Sequence, residues 1–541
     1  MISCRNLACL LLILCLSQCA TQTTPTGGPK DEKAPVLLKS TPADNVRNFK
    51  GETIELTFDE QVKVIEPSEE IIITPSPGKQ IDFKAKQNKI TITPENQWQE
   101  NTTYSISFRE AIQDVTEGNA AEVNLAFSTG PDIDSLFIDG QITNGLLETI
   151  PEKITVAIYQ ADTTDIFKSP AKYFTKTDKQ GFFKISNLKP GNYFLYAFED
   201  KNKNLKVEST TEKFGFKANA VASGSKSSDT NTISIVKADS RKIKINSTRR
   251  SEKTTLVNLN KSVVSYSIAN DKNDSIINHF GDTNSEIILF NPSSKADSLK
   301  INLIAKDSIG LTLDTVFHIR QSPVKSMEEP FRLNLNDVTY TSETSTFLLK
   351  GTFTKPVARI IPDSIFIKID SINQINFLPK DIDIDNINKR ITLQKQIEKR
   401  TILKDNTRPE LILGKSFLIT YANDSSKRES KTIKMLTPEK TATLEIQLKT
   451  NQPFFIIELL LLNGKVQQSV RNVKQYIFKN LEPVAYKLRV ITDINNNGQW
   501  DPGNIFTRTE AEPVIYYKSA EGKFDINTRE NSDIGPLILP F

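Results

Sequence analysis

Cysteine is confined to the margin of this chain. All four, Cys4, Cys9, Cys15 and Cys19, lie in the first nineteen of 541 residues. With the leader removed before Cys19, a single thiol remains at the new terminus. The body then has no intrachain disulfide, no thiolate zinc site and no internal cysteine nucleophile. Histidine is almost as scarce, with only His279 and His318, so a histidine-dependent triad has two positions to choose from. Charge of one sign is not in excess: 69 Lys+Arg face 65 Asp+Glu, a net +4. That is too little for the broad cationic field that nucleic acid requires. No phosphate loop, dinucleotide fingerprint or nucleophile elbow is present, so no nucleotide ligand is expected. Beyond the leader, no apolar run reaches the roughly 18 residues of a membrane helix. The longest, Phe454 to Leu462, is broken by Glu458 and has the length of a strand.

What is there begins with an address. Arg5 precedes an apolar run from Leu7 to Leu16. Ten residues at ~1.5 Å each cover about half of a hydrocarbon core ~30 Å thick, which suits a secretory h-region and not a membrane span. The run ends at Leu16-Ser17-Gln18-Cys19, and a Thr/Gln/Pro/Gly-rich stretch follows. This order resembles a bacterial lipobox. The resemblance implies cleavage before Cys19 and acylation of that residue, hence anchoring to a membrane by several acyl chains. Residues 1–18 are then a signal peptide and 19–33 a lipidated, flexible tether too polar to bury a core.

Period-two alternation recurs through the body. Ile54, Leu56 and Phe58 alternate with Glu55 and Thr57. Ile90 and Ile92, then Tyr104, Ile106 and Phe108, then Ile154, Val156 and Ile158 obey the same rule. Such strands bury one face and wet the other, as in antiparallel sheets. Asn, Asp, Pro and Gly cluster between them. The fold class expected is all-β, a series of tandem antiparallel β-sandwich modules.

Residues 34–131 run from Ala34-Pro35 and Ser40-Thr41-Pro42, through Ile54-Glu55-Leu56-Thr57-Phe58-Asp59-Glu60-Gln61-Val62, to Asn101-Thr102-Thr103-Tyr104-Ser105-Ile106-Ser107-Phe108. This order resembles the bacterial Ig-like domain of surface-layer proteins and Bacteroidetes-type lipoproteins. Residues 132–217 contain Gly181-Phe182-Phe183-Lys184-Ile185-Ser186-Asn187-Leu188-Lys189-Pro190-Gly191-Asn192-Tyr193. Pro190 and Gly191 predict a type II hairpin turn with Gly191 at positive φ. The stretch resembles the prealbumin-like fold of carboxypeptidase regulatory and Cna-B-type modules, which implies a sandwich without catalytic residues of its own.

The pattern then repeats. Asn187-Leu188-Lys189-Pro190 and Tyr193 return as Asn480-Leu481-Glu482-Pro483 and Tyr486, and Phe58 through Val62 have weaker echoes in Phe353 through Val357. Residues 331–436 are accordingly a possible second Ig-like domain, with Thr354-Lys355 in place of Asp59-Glu60, and 437–541 a second prealbumin-like sandwich. Between the pairs, 218–232 is Ser/Asn/Ala-rich and reads as a linker, and 233–330 as a middle β-domain of no recognised family.

One constellation suggests a metal. Asp493, Asn495, Asn497 and Asp501, with Gly498 between them, place oxygen side chains at relative positions 1, 3, 5 and 9 of a loop, as in the first part of an EF-hand-like calcium site. Position 12 is Asn504, and the preceding element is a strand, so a hairpin loop closed by Asx turns is the competing reading. The earlier copy, Asp200, Asn202, Asn204 and Glu208, has Leu205 and Lys206 where Gly498 and Gln499 stand. Asp381, Asp383 and Asp385 alternate as if on one strand face, and Arg241, Lys242, Lys244, Arg249 and Arg250 form a basic stretch. Both read as solvated faces, and His279 and His318 as structural. Taken together, the chain reads as a non-enzymatic lipoprotein of the outer membrane, on the periplasmic face, presenting its modules for structural support or to a protein or glycan partner. The alternative is a carbohydrate-processing lipoprotein with carboxylate catalysis in the middle domain.

Overall fold

The computed structural model describes residues 30–541, apart from 79–80, 150, 161–164, 228–230, 252, 271–275, 291–298, 320–329 and 403–407. Cys19 and the leader lie outside the described residues. Strands account for nearly all regular structure. Among the described residues the α-helices are single turns, Pro67–Glu70 and Lys399–Ile402, and no helix is long and apolar enough to cross a membrane. The chain forms two compact units, one of residues up to Leu136 with Ser186–Lys189, the other of Phe137–Ile185 with Pro190–Phe541.

In the first unit, one sheet runs in the order Leu37–Thr41, Ile54–Phe58, Lys89–Pro94, Ile81–Lys86. The facing sheet runs Ile72–Thr74, Thr103–Ser107, Asn124–Ser128, and a ribbon joins Val62–Val64 to Ile112–Asp114. The alternating residues do what their period dictates. Ile54, Leu56, Phe58, Ile90, Ile92, Tyr104, Ile106 and Phe108 are all fully buried, while Glu55 faces solvent. Trp98 sits edge-on to Tyr104 and Phe127 at 4.7 and 5.3 Å between centroids, an arrangement that adds to area burial.

This strand order returns in the second unit. Val338–Thr341, Thr346–Phe353, Arg390–Gln396 and Ile382–Asp385 repeat the first sheet. Ile365–Lys368, Glu410–Leu413 and Glu429–Leu436 repeat the second, and Val357–Ile360 with Leu418–Thr420 repeats the ribbon. A parallel pairing of Val338–Thr341 with Ile433–Leu436 fuses the two sheets into one. Between 245 and 319 lies a four-plus-three antiparallel sandwich around Val257, Ile287, Leu289, Ile301 and Leu303.

The repeated Asn-Leu-x-Pro pattern also folds twice in one topology. The first copy has Phe182–Leu188, Leu136–Thr143 and Thr232–Ser234 in one sheet, and Tyr173–Lys176, Thr155–Tyr159, Asn192–Phe198 and Phe214–Phe216 in the other. The second copy has Gln475–Leu481, Ala442–Lys449 and Ser532–Pro540, then Val466–Arg471, Phe455–Leu461, Ala485–Thr492 and Val514–Tyr516. Thr232–Ser234 pairs in parallel with Gln141–Thr143, and Val221–Ala222 pairs with Asn192–Tyr193. The stretch expected as a linker thus contributes strands to the first copy.

The expected hairpin is not one. Phe182–Leu188 and Asn192–Phe198 belong to different sheets, as do Gln475–Leu481 and Ala485–Thr492. Gly191 does not adopt positive φ. The left-handed residues are Asn187 (φ 58°) and Asn480 (φ 56°). Asparagine tolerates that conformation better than other side chains, and each is the second-last residue of its strand, Phe182–Leu188 and Gln475–Leu481. This explains why the motif keeps Asn but has Val484 in the place of Gly191.

A second departure concerns burial. Thr155–Tyr159 is buried on both faces, with Thr155, Val156 and Ala157 all at zero exposure. The wet face expected for Ile154, Val156 and Ile158 is covered by segments described next.

Candidate functional site: two carboxylate loops and a reciprocal clamp

Asp493, Asn495, Asn497 and Asp501 do come together, in the loop after strand Ala485–Thr492. Asp493 is fully buried. Its Oδ1 accepts the amide of Asn497 at 2.9 Å, and its Oδ2 that of Gly498 at 2.9 Å. Gly498 has φ +79°, the sharp turn anticipated. The Nδ2 atoms of Asn495 and Asn497 donate to Asp501 Oδ2 at 2.6 and 2.8 Å. Arg471 Nη2 lies 3.4 Å from Asp493 Oδ2. As arranged, the two amides present nitrogen to Asp501, and among the described residues no three His, Cys, Asp or Glu side chains form a metal-sized group.

The residue that closes the loop escaped the sequence reading. Glu512 is 3% exposed and accepts the amides of Ile494 at 2.7 Å and Asp501 at 3.0 Å. Burial, then the neighbouring Asp501 and Asp493, push its carboxyl above the usual range. The first copy is built alike. Asp200 accepts the amides of Asn204 and Leu205, Glu208 Oε1 accepts Nδ2 of Asn202 and Asn204, and the fully buried Glu212 accepts the amides of Lys201 and Glu208. Burial raises both Glu212 and Asp200. Even the left-handed residues coincide, Lys203 and Leu205 matching Asn496 and Gly498. In this geometry hydrogen bonds from backbone amides and from the asparagine side chains hold both loops.

The copies differ in one insertion. Glu212 follows Glu208 by four positions, whereas Glu512 follows Asp501 by eleven, so the second copy carries seven extra residues. This arm leaves its own module and docks on the outer face of the first copy. The Arg508 guanidinium stands 5.0, 5.6 and 5.3 Å from the ring centroids of Phe194, Tyr196 and Phe216. It donates to the Tyr196 hydroxyl at 2.7 Å and to the carbonyls of Lys217 and Ala218. Glu510 pairs with Lys217 at 2.8 Å and accepts the Ala218 amide. Asn504 Nδ2 donates to the carbonyl of Ile309 at 2.7 Å, bringing in the middle sandwich. Trp500, Ile505 and Ala511 pack on the cluster of Ala157, Tyr196, Phe198 and Phe214, which is why that sheet is dry on both faces.

The docking is reciprocal. From the first copy, the carbonyl of Leu146 accepts Arg489 Nη1 at 3.0 Å and the Tyr516 hydroxyl at 2.5 Å, and Glu148 pairs with Lys487. Arg489 is held in turn by Glu458, 2.6 Å away. The charge that breaks the apolar run Phe454–Leu462 therefore orients a clamp residue.

The other sequence candidates lie apart from these loops. Asp381 is not on the strand, which begins at Ile382. It ends a 3-10 turn, Pro379–Asp381, and pairs with Lys395 at 2.5 Å. Asp385 binds Asn388 in the turn that follows, leaving only Asp383 on an open face. His279 is 4% exposed, its Nδ1 is 2.6 Å from the carbonyl of Phe280, and burial lowers its pKa to about 4. His318 is exposed, and its carbonyl accepts Arg250. Arg241 is bound to Asp239, whereas Lys242, Lys244 and Arg249 are exposed.

Residues 31–129 match the family model of the bacterial Ig-like domain, and residues 151–210 match that of polysaccharide lyase family 4, domain II. These are β-sandwich modules, and the chain is a nearly all-β protein of that class. No curated protein matches the sequence. Solved structures that align with it include the major pilin subunit of Bacillus cereus (10% identity, 75% of this chain and 99% of that one, TM-score 0.14). Dimeric latent PorU from Porphyromonas gingivalis aligns at 10% identity over 53% of this chain and 35% of that one, with TM-score 0.22. A bacterial ice-binding adhesin aligns at 11% identity over 62% and 92%, with TM-score 0.13. Overlaps this small carry nothing of those proteins' roles to this chain.

Proposed function

We propose that the chain is a non-enzymatic cell-envelope lipoprotein that acts as a scaffold. Acyl chains on Cys19 hold it in the outer membrane, on the periplasmic face. The tether 19–33 spaces it from the bilayer, and the sandwich modules that follow are presented for structural support or to a protein or glycan partner. The observation that supports a scaffold is the reciprocal clamp. Two modules nearly 300 residues apart are tied by aromatic, ionic and backbone contacts, so their surfaces are held in fixed register at little entropic cost to a partner. Radiolabelled palmitate and membrane fractionation of the wild type and Cys19→Ser test the anchor. A Cys19→Ser chain that is still cut at that position and still sediments with membranes overturns it. Protease accessibility on intact cells tests the face.

The rival, carboxylate catalysis in the middle sandwich, calls for two free carboxylates facing each other across a groove. Among the described residues of that sandwich, the buried carboxylate is Asp307, engaged by Lys261 at 2.5 Å and by the amides of Ile309 and Leu311. We also propose calcium at Asp493, Asn495, Asn497 and Asp501, on one ground. The crowded carboxylates of Asp493, Asp501 and Glu512 would be relieved by a cation once the two amides turned their oxygens inward.

A further inference from the structure

The second Ig-like module carries a groove that nothing above uses. It is about 560 Å³ in volume, within the usual range for small-ligand sites. It lies across the outer face of the strands Ile365–Lys368, Gln374–Asn376 and Glu410–Leu413, beside Arg428 and Glu429. Its floor is apolar, formed by Phe366 and Ile412, which stand opposite each other in register. Its walls are polar. Lys368 and Glu410 are also opposite each other, yet they form no ion pair. The side chains of Lys368, Glu410, Arg428 and Glu429 have no hydrogen-bond or ion-pair partner among the described residues.

We infer that this groove binds a neutral oligosaccharide. The inference rests on the scaffold reading and names the class of its partner. Three features choose among ligands. The lining carries Lys368 and Arg428 against Asp370, Glu410 and Glu429, a near balance that gives an anionic polymer or headgroup no net attraction. The strands Ile365–Lys368 and Glu410–Leu413 beneath are hydrogen-bonded on both sides, so an extended peptide lying across them finds no main-chain partners of the kind strand addition needs. Gln374–Asn376 ends the sheet, and the peptide in the test below reports that edge. What the groove offers is charged and amide side-chain heads around one aromatic ring, with Gln374 and Asn373 at its edge. Sugar hydroxyls both donate and accept, so they satisfy ammonium, guanidinium and carboxylate alike. A pyranose C–H face suits the ring and aliphatic floor.

The test is titration calorimetry of the full chain with linear neutral oligosaccharides of glucose, mannose and xylose, with an oligogalacturonate and an extended peptide as comparisons. At least one neutral sugar is expected to bind with Kd of about 1 mM or tighter. Lys368→Ala with Glu410→Ala should weaken it about tenfold or more, with an unchanged melting temperature, since both side chains are exposed and unpaired. Failure of every neutral sugar to bind at that level, preference for the charged polymer or the peptide, or binding indifferent to the double variant each overturns the inference. Acylation at Cys19 is read separately by palmitate labelling, so either result can fail without the other.

Discussion

Arg508 donates a 2.7 Å hydrogen bond to the hydroxyl of Tyr196, 312 positions away along the chain. The same guanidinium faces three aromatic rings and caps the carbonyls of Lys217 and Ala218, just past strand Phe214–Phe216. Planarity and five fixed donors make arginine suited to this double role, and lysine cannot reproduce it.

Arg508→Ala is therefore expected to cost about 2 kcal/mol, from one desolvated cation–π contact and the loss of charged hydrogen bonds. Arg508→Lys should recover less than half. Denaturant midpoints and protease cutting within 502–511 report it. An arm that stays protected in Arg508→Ala would show that Trp500, Ile505 and Ala511 hold it without the clamp.

The ion pair of Lys261 and Asp307 is 4% and 3% exposed. Asp307 Oδ2 has no hydrogen-bond partner and meets only the ammonium; Lys261 also donates to the carbonyl of Asp239. Removing one partner strands a buried charge, so Lys261→Met should destabilise the middle sandwich by about 3–5 kcal/mol. Lys261→Met with Asp307→Leu should be milder than Lys261→Met alone, since both charges then leave together. A double variant no more stable than the single one would contradict this.

Glu212 and Glu512 titrate above the ordinary carboxylate range because burial, and then neighbouring carboxylates, penalise their ionised forms. The protonated forms are thus favoured in the folded state. Their contribution to stability is fully present below the unfolded pKa of about 4.5 and is lost as pH rises through the raised folded values. A melting profile should show this as a loss of stability as pH rises past the unfolded value of about 4.5 that flattens in Glu212→Gln with Glu512→Gln. The double variant should also be less stable throughout, because Gln offers one oxygen where each Glu accepts two backbone amides.

Trp500 donates through Nε1 to the carbonyl of Glu512 at 3.0 Å, so its fluorescence reports the loop. Millimolar calcium is expected to shift that emission and raise the melting temperature, and Asp501→Ala should abolish both effects. Absence of any change would assign the loop to hydrogen bonding alone.

Asn480 stands at φ 56° within strand Gln475–Leu481, where two of its residues oppose one of the partner strand between the pairs Ala442–Leu481 and Leu444–Phe478. Asn480→Gly should be tolerated, whereas Asn480→Val should cost about 1–2 kcal/mol, since a β-branched residue is strained there. Equal melting temperatures for the two would remove the left-handed conformation as the reason for Asn.

The all-β class was legible because period-two alternation is a local property. Ile54, Leu56 and Phe58 encode which face is buried whatever packs on it. The repeat was legible for the same reason, since Asn187 and Asn480 mark a backbone conformation. The turn was misread because Pro190-Gly191 carries a local hairpin signal, while the destination of the next strand is a tertiary matter. Burial of Thr155–Tyr159 on both faces had a faint signal in its neighbour, Asn-Tyr-Phe-Leu-Tyr-Ala-Phe at 192–198, too apolar for a half-wet strand. Glu512 had none usable, because the arm displaces it beyond any fixed spacing from Asp501.

By itself, then, the sequence determined the strands, their inward faces and the paired copies, since each depends on residues within reach of one another along the backbone. Only the tertiary structure decided which surface the seven-residue arm covers, that Leu146 and Glu148 meet Arg489, Tyr516 and Lys487, and where unpaired charges ring a groove. Those contacts join residues up to 370 positions apart. They are selected by the fit of two folded surfaces, which exist only once each sandwich has closed.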